Sequence, residues 1–267
     1  MNIENLTYLA ISACIHGGQE IMSVYNTDFG FEFKKDNSPL TIADQKCNNK
    51  IEEILFDSKI PILSEEGKQL NYEERKKWKY LWIVDPLDGT KEFIKKNGEF
   101  TVNVALVKNN QPIIGVIYVP AKNILYFSNK NLGSYKSTVS INEFKDLASV
   151  EELTTESEKL PIVKNSGKHV IVASRSHMSK ETQDFVNRRR EIKKNIEIVS
   201  IGSSLKICMV AEGIADVYPR LAPTMEWDVA AGHSIAKYSG FKILNYENGT
   251  ELTYNKENLL NPFFIVE

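Results

Sequence analysis

Two aspartates stand three residues apart in the stretch WIVDPLDGTKEF, at residues 82–93. Asp85 and Asp88 follow an apolar run, a proline and a leucine separate them, and a Gly-Thr pair comes directly after them. The pattern predicts a buried strand that leaves through an acidic turn into a short helix. Because proline fixes the local backbone, such a turn can direct two carboxylates and the Leu87 carbonyl into one cleft. Either the acids cap a turn, or a cation lies between them.

Further acids are expected at the ends of elements elsewhere in the chain. They are Asp44 in TIAD, Glu65 and Glu66 in SEEG, and Asp228 in EWD. Mg²⁺ prefers carboxylate and water oxygens and commonly takes substrate phosphate oxygens to complete its shell. Two such ions about 4 Å apart can hold the attacking and leaving oxygens of an in-line displacement. Gly89 and Thr90 would then begin a helix whose free N–H groups receive a phosphate.

Each of these acids taken alone is more simply a helix cap or a surface acid. SEEG alone says little, and EWD is compatible with a capped helix. The DPLDGT segment is different. It places two close acids at the end of a strand, beside a helix start that can receive an anion, and capping alone does not explain both acids. The combination therefore favours metal-dependent chemistry on a phosphate.

Composition and charge exclude several classes of partner. The chain has 267 residues, 42% of them apolar and 25% charged, enough for a sizeable core in one large domain or two subdomains. With 33 basic and 35 acidic residues, the formal charge of −2 gives no reason to expect a nucleic-acid polymer or an anionic membrane as partner. The basic runs at 75–79 and 188–194 are predicted to be solvated faces.

The cysteines and the N-terminal region indicate a reduced compartment. Cys14, Cys47 and Cys208 are isolated and too few for a disulfide framework. No Lys or Arg precedes Lys34, and the apolar stretch at 6–15 is too short to span a bilayer. We expect a cytoplasmic protein with no integral membrane segment. The sequence leaves open a loose association with the inner membrane surface, and a monomeric or homodimeric state.

The spacing of apolar residues predicts the elements that position the acids. It predicts an amphipathic helix over 5–26, a second helix from about Ala43, a hairpin over 101–120 with a KNNQ turn, and a strand in NILYFSN. Residues 134–168 are polar and irregular. We interpret them as the connection between the two halves of the chain, in which further strands can occur. We expect two subdomains: an α+β one over 1–135 with most metal ligands, and an α/β one over 136–267 with Asp228 and the substrate contacts.

The second half carries a strand–helix–strand pattern. HVIVAS and IEIVSIG are predicted strands, and the helix between them covers about residues 179–194, which is typical of a βαβ unit. Two further helices are predicted in SSLKICMVAEG and EWDVAAGHSIAKYSG, the second started by Asp228 and closed by Gly240. The whole predicts a layered α/β fold.

TIAD, SEEG, WIVDPLDGT and EWDVAAG resemble, in order and wording, the signature of the inositol monophosphatase superfamily of Mg²⁺-dependent, lithium-sensitive phosphatases. The resemblance runs over essentially the whole chain. DGTKEFIKKNGEFTVNVAL, VASRSH, GSSLKICMVAEGIADVYPR and LTYNKENLLNPFFIV are similar to its 3'(2'),5'-bisphosphate nucleotidase branch, the CysQ type. Inositol monophosphatases usually continue after DGT with TNF, and they lack this C-terminal ending.

The resemblance implies a fold and a reaction. The fold is the layered αβαβα sandwich of the inositol monophosphatase and fructose-1,6-bisphosphatase type. The reaction is removal of the 3'-phosphate from a small-molecule nucleotide, adenosine 3',5'-bisphosphate, giving AMP and phosphate. Activity on adenosine 3'-phosphate 5'-phosphosulfate or inositol 1,4-bisphosphate is left open.

The same resemblance implies two Mg²⁺ ions per active site. Glu65, Asp85 and the Leu87 carbonyl would bind the first. Asp85, Asp88 and Asp228 would bind the second, which stabilises the departing ribose 3'-oxygen. Lithium inhibition is expected if Li⁺ replaces this second ion.

The implied catalytic residues are Thr90, Asp44 and Glu65. The metal lowers the pKa of a bound water, and Thr90, hydrogen-bonded to Asp44, helps to accept its proton. A third, weaker ion is allowed beside Glu65, with Glu66 in its outer shell. Positioning and charge neutralisation would supply most of the catalysis.

The expected substrate contacts combine the metal site with a nucleotide side. They are Glu65, Leu87, Asp88, Gly89, Thr90, Ser203, Lys206, Arg220 and Asp228. Lys206 and Arg220 are candidates for the 5'-phosphate, and Ser203 is a hydroxyl donor near a helix start. Lys206 can equally be the solvated face of its helix.

Further polar residues have two interpretations each. Ser174, Arg175 and His177 are candidates for the adenine or ribose side, although a lone histidine is more often structural. Lys34 and Lys35 either contact phosphate or are solvated. His233 is expected to be packed inside its helix layer.

Two rival functions remain. The first is an inositol or sugar monophosphatase of the same superfamily, in which loss of Lys206 and Arg220 would leave KM unchanged. The second is a non-catalytic nucleotide or metal sensor, which would bind the bisphosphate and release no phosphate.

Overall fold

The fold is described from a computed structural model over residues 2–25, 31–33, 39–68, 70–144, 149–162, 167–173 and 179–267, with backbone alone at 31–33 and 39–41. In these ranges the α-helices are α1 Ile3–Tyr25, α2 Ile42–Leu55, α3 Tyr72–Arg75, α4 Thr90–Ile94, α5 Ile141–Phe144, α6 Val150–Thr155, α7 Lys180–Ile192, α8 Leu205–Ala211 and α9 Glu226–Tyr238. The strands are β1 Phe31–Phe33, β2 Pro39–Thr41, β3 Ile62–Ser64, β4 Tyr80–Asp88, β5 Thr101–Lys108, β6 Gln111–Val119, β7 Ile124–Asn129, β8 Gly133–Thr138, β9 Glu158–Lys159, β10 His169–Ala173, β11 Ile196–Ser200, β12 Tyr218–Arg220, β13 Ile243–Asn245 and β14 Phe264–Val266.

A seven-stranded sheet with the order β3-β4-β5-β6-β7-β8-β9 forms the centre of the fold. The β3–β4 pair is parallel, and the other neighbours are antiparallel. Strand β4 is apolar on both faces because helices cover both sides of the sheet. The β4–β5 register places Asp85 opposite Asn103 and then shifts before Asp88.

Helices cover the two faces of this sheet with separate apolar clusters. On one face α1 and α2 pack on side chains such as Val84 and Val104. On the other face α8 and α9 pack on side chains such as Ile83 and Ala105. Helix α9 lies very close to β6, because a Cβ on Gly115 would come within 2.3 Å of the Ala231 carbonyl oxygen.

A second set of strands lies beyond α8 and α9. Strand β10 is parallel to β11, strand β14 lies between β12 and β13, and a bridge from Ile171 to Val217 joins the two groups. Side chains of α8 and α9 pack on one side of these strands, and Phe185 and Val186 of α7 pack on the other. The order of layers is αβαβα, as the resemblance implied.

Several expected elements are confirmed. The first helix, the 101–120 hairpin and the βαβ unit of β10, α7 and β11 occur where the sequence predicts them. The polar stretch 134–168 contains β8, β9, α5 and α6 in its described part. Strand β8 spans position 135, and the division of the chain into two subdomains there stays a prediction.

Other expectations are wrong in detail. Helix α9 begins at Glu226, because Met225 is its N-cap, and Asp228 is its third residue rather than its start. The DPLD segment is the irregular end of β4 rather than a turn beyond it. The run 188–194 is largely exposed as predicted, but Arg75 of the run 75–79 is buried.

Two further predictions have clear outcomes. His233 is fully buried, with the Tyr254 hydroxyl 2.8 Å from Nδ1 and a Glu251 oxygen 3.1 Å from Nε2, so it is packed as expected. In the described part of the chain, every helix is too short or too polar to cross a bilayer.

Candidate active site

Three carboxylates converge at the end of β4. Glu65, Asp85 and Asp228 each offer an oxygen that lies within 4.8 Å of the other two. Asp85 is buried, Asp228 is half-buried and Glu65 is exposed, so the cluster opens to solvent on one side. Oxygen donors from three separate segments within reach of one point are the ligands that Mg²⁺ prefers. The donor set therefore fits a hard divalent cation.

The backbone holds each of these acids in place. Glu65 directly follows β3, and its N–H donates to a carbonyl of β4 at 3.1 Å. Asp85 accepts the N–H of Leu87 on Oδ1 at 3.1 Å, which bends the chain between the two aspartates of DPLD. Asp228 accepts the N–H of Met225 on Oδ2 at 2.8 Å at the start of α9. The Asp85 and Asp228 carboxylates are thus oriented by backbone N–H groups, and Glu65 is fixed at its main chain.

Burial and mutual repulsion raise the pKa values of these acids. Burial is the main cause of the raised pKa of Asp85, and the charges of Glu65, Asp88 and Asp228 raise it further. Burial raises the pKa of Asp88 to about 6, although the nearby Lys206 charge opposes the rise. Burial and then the Asp88 charge raise the pKa of Asp228 to about 8. A bound cation would relieve this repulsion.

This cluster makes the stability of the metal-free protein depend on pH. Folded Asp228 keeps its proton up to about pH 8, whereas its ordinary pKa is 3.8. Between these values the folded state binds more protons than the unfolded state, so the free energy of unfolding falls as the pH rises.

We therefore expect the Tm of the metal-free protein to fall from about pH 5 to about pH 8. Mg²⁺ should raise Tm more at the higher pH, because fewer protons must leave the ligands. Thermal melts in EDTA and in Mg²⁺ measure both effects. An equal gain from Mg²⁺ at the two pH values would contradict the expectation, and Asp228→Asn should flatten the metal-free profile.

Gly89 and Thr90 lie where the chain passes from β4 into α4. Gly89 has a φ of 93°, a left-handed conformation that favours glycine. The Thr90 hydroxyl donates to the Leu87 carbonyl oxygen at 3.4 Å. Asp44 is buried on α2, and within the described ranges the bonds of Thr90 do not include it. The Thr90–Asp44 pair therefore stays a prediction.

Lys206 lies inside the protein rather than on a solvated face. It is 7% exposed, and its ammonium group donates to the carbonyl oxygens of Ile201 and Ser203. Burial lowers the pKa of Lys206 to about 8, while the Asp88 charge acts in the opposite direction. The interpretation of Lys206 as the wet side of its helix is wrong.

Ser203 and Arg220 each have a buried polar atom without a hydrogen-bond partner in the described part of the chain. Ser203 Oγ and Arg220 Nε have no hydrogen-bond partner among the residues described. Ser203 has a φ of 45°, and Arg220 donates through Nη2 to the Pro223 carbonyl oxygen at 2.9 Å. The Arg220 charge also lowers the pKa of Asp228, against the larger effects of burial and the Asp88 charge. Buried polar atoms without partners are rare, which makes these two candidates for ligand contact.

Sequence reasoning missed Asn103 and Ser204. Asn103 accepts the Ser204 hydroxyl at 2.9 Å, and Thr101 Oγ1 lies 2.8 Å from the same hydroxyl oxygen. The N–H of Ser204 bonds to Asp88, which lowers the pKa of that acid. The available signal was a polar side chain inside the apolar strand TVNVAL, since buried amides need hydrogen-bond partners.

Some predicted residues cannot be placed. Ser174, Arg175, His177, Lys34 and Lys35 lie outside the described residues. Glu66 is half-buried in the turn after β3, and its place in the outer shell of a third ion stays a prediction.

Known proteins match nearly the whole length of this chain. The chain is 40% identical over 256 residues to the 3'(2'),5'-bisphosphate nucleotidase CysQ of Shigella flexneri, covering 94% of this chain and 95% of that protein. It is 39% identical to the protein of that name in Escherichia coli strain K12, with the same coverage.

Solved structures show the same likeness. CysQ of Bacteroides thetaiotaomicron, a bacterial member of the inositol monophosphatase family, superposes with a TM-score of 0.92 at 48% identity, covering 99% of this chain and 97% of that one. An IMPase of Thermotoga maritima shares the fold, with a TM-score of 0.72 at 22% identity over 96% of this chain and 89% of that one. A sequence model of the inositol monophosphatase family matches residues 2–262. The chain belongs to the inositol monophosphatase family.

Proposed function

We propose that this chain is a metal-dependent 3'(2'),5'-bisphosphate nucleotidase. It removes the 3'-phosphate of adenosine 3',5'-bisphosphate and gives AMP and phosphate. The observation that carries the proposal is the convergence of Glu65, Asp85 and Asp228 within 4.8 Å. Curated relatives that match over 94% of this chain are named for that activity.

The acidic cluster supports a site for two Mg²⁺ ions. Glu65, Asp85 and the Leu87 carbonyl would hold one, and Asp85, Asp88 and Asp228 the other. The proposal also includes a third, weaker Mg²⁺ position beside Glu65. When bound, such ions activate a water and neutralise charge on the phosphate oxygens. The raised pKa values of Asp85 and Asp228 support the assignment, because crowded carboxylates gain most from a cation.

The chain's own groups hold the reactants in line. Thr90 Oγ1 would accept the proton of the attacking water while passing its own hydroxyl proton to the Asp44 carboxylate. Gly89 and the N–H groups at the start of α4 would receive the phosphate. Positioning and fixed charge would supply most of the rate enhancement.

The nucleotide side would be formed by Ser203, Lys206 and Arg220. The unpartnered Ser203 Oγ and Arg220 Nε support direct contact with the substrate. Lys206 supports the nucleotide side indirectly. Its bonds to the Ile201 and Ser203 carbonyl oxygens hold Ser203 in its left-handed conformation. The 5'-phosphate would lie on the Arg220 side of the cleft.

The cysteines support a cytoplasmic location. All three, Cys14, Cys47 and Cys208, are free and buried. Structural disulfides, which are typical of oxidising compartments, are therefore not part of this fold.

The test is phosphate release at equal concentrations of adenosine 3',5'-bisphosphate and myo-inositol 1-phosphate in Mg²⁺, with and without millimolar Li⁺. We expect fast release from the nucleotide alone, and suppression by Li⁺. Preference for the inositol phosphate would favour the rival within the family. Binding of the bisphosphate without release of phosphate would favour the sensor.

A further inference from the structure

The segment Tyr254–Asn261, called here the C-terminal clamp, returns to the first residues of α9. It contacts Thr224, Met225 and Glu226, directly before the predicted ligand Asp228. We propose that Glu226 and the C-terminal clamp are positioning elements that set the orientation of Asp228, and with it the Mg²⁺ affinity of the site. The inference rests on the metal role proposed for Asp228.

Glu226 is the centre of this arrangement. Its side chain is fully buried. One carboxylate oxygen accepts the N–H of Asn255 at 2.6 Å, and the other accepts the Lys256 N–H at 3.0 Å and the Lys256 ammonium at 2.6 Å. The N–H of Glu226 donates to the Leu259 carbonyl oxygen at 3.0 Å. A buried carboxylate with charge-assisted bonds on both oxygens keeps one geometry.

The clamp also fixes the residue that orients Asp228. Asn261 donates from Nδ2 to the Met225 carbonyl oxygen at 2.7 Å, and its N–H donates to the Thr224 carbonyl oxygen at 2.8 Å. Met225 forms an antiparallel bridge with Leu260. The N–H of this same Met225 donates to Asp228 Oδ2 at 2.8 Å. Movement of the clamp would therefore displace the donor that holds the Asp228 carboxylate.

The far side of the clamp is anchored to α3. Arg75 donates from Nη1 to Asn255 Oδ1 at 2.8 Å and from Nη2 to the Glu257 carbonyl oxygen at 2.9 Å. Asn255 donates in return from Nδ2 to the Arg75 carbonyl oxygen at 2.7 Å. Asn255 thus bonds to α3 through its side chain and to Glu226 through its N–H. The clamp is held from both sides.

Glu212 offers a matched control. It is a buried glutamate that accepts the Lys136 ammonium and the Tyr126 hydroxyl, each at 2.7 Å, at the end of α8. It shares the chemistry of Glu226, but its bonds lead to β7 and β8 rather than to the acids. Glu212→Gln should lower Tm and leave Mg²⁺ binding unchanged.

The test variant is Glu226→Gln, in which an amide N–H₂ faces the donors of Asn255 or Lys256. We expect the Kd for Mg²⁺, measured by calorimetry on the full chain without nucleotide, to rise about tenfold. The Mg²⁺ concentration for half-maximal activity should rise in parallel, and saturating Mg²⁺ should restore most of kcat. Lys256→Met, which removes the ammonium group and keeps an unbranched side chain, should shift the Kd in the same direction and serves if Glu226→Gln does not fold.

Two outcomes would overturn the inference. One is unchanged Mg²⁺ affinity in folded Glu226→Gln. The other is an equal loss in Glu212→Gln, which would indicate a general loosening of the fold. Because Mg²⁺ binding is read without nucleotide, failure of the nucleotidase assay would leave this result standing. A wild-type chain that binds no Mg²⁺ would refute the proposed metal site itself.

Discussion

Replacement of Asp85 by asparagine is expected to reduce phosphate release about a thousandfold, the upper end of the range for loss of one preorganised electrostatic group. Asp85 is the one acid proposed to bind both ions, and it is only 1% exposed at the centre of the cluster. Asp85→Asn keeps the side-chain volume and removes the charge. Initial rates with the bisphosphate at saturating Mg²⁺ measure the loss.

The same substitution should raise the Tm of the metal-free protein. Burial and then the charges of Glu65, Asp88 and Asp228 raise the pKa of Asp85, so a neutral side chain there removes the cost of a buried charge and relieves the repulsion. Asp184→Asn, on the exposed side of α7, is the matched control and should change neither rate nor Tm. An active Asp85→Asn enzyme would contradict the metal assignment. A lower metal-free Tm would contradict the account of repulsion.

Many helices and strands of this fold can be predicted from the spacing of apolar residues, because each element buries one face. α1 shows the helical spacing of apolar residues, and β5 and β6 are separated by a short polar turn. The αβαβα order of layers did not come from periodicity, and only the family resemblance implied it. Likewise, 163 positions along the chain separate Glu65 from Asp228, and spacing alone does not bring them within 4.8 Å.

Local sequence patterns gave the wrong detail at two positions beside the proposed site. The EWD motif predicts a helix that starts at its aspartate, yet α9 begins two residues earlier, at Glu226, and Asp228 caps it from the third position by accepting the Met225 N–H. Lys206 is equally compatible with a phosphate contact or a solvated helix face from its sequence, yet its ammonium group is buried and bonds to the carbonyl oxygens of Ile201 and Ser203. The spacing of apolar residues shows neither outcome. Both errors concern residues beside the proposed site, where buried polar groups are held in place to bind the ligand.

Arg220→Met is expected to raise KM for adenosine 3',5'-bisphosphate about tenfold to a hundredfold, as a lost hydrogen bond to a charged group predicts. Arg220 Nε is buried without a partner among the described residues. A phosphate oxygen of the substrate can therefore accept its N–H without breaking an existing hydrogen bond of Nε. KM for adenosine 3'-monophosphate, which lacks the 5'-phosphate, should stay unchanged. Steady-state kinetics on the two substrates separate binding from chemistry.

The comparison of substrates decides which role Arg220 has. Arg189→Met is the control, since Arg189 pairs with Glu267 at 2.8 Å on α7, away from the acids. An equal loss on both substrates would mean that Arg220 acts through Asp228, whose pKa its charge lowers. No loss on either substrate would mean that Arg220 does not bind the 5'-phosphate, and it would favour an inositol or sugar phosphate as substrate. A loss confined to the bisphosphate requires contact with the 5'-phosphate, because that group alone distinguishes the two nucleotides.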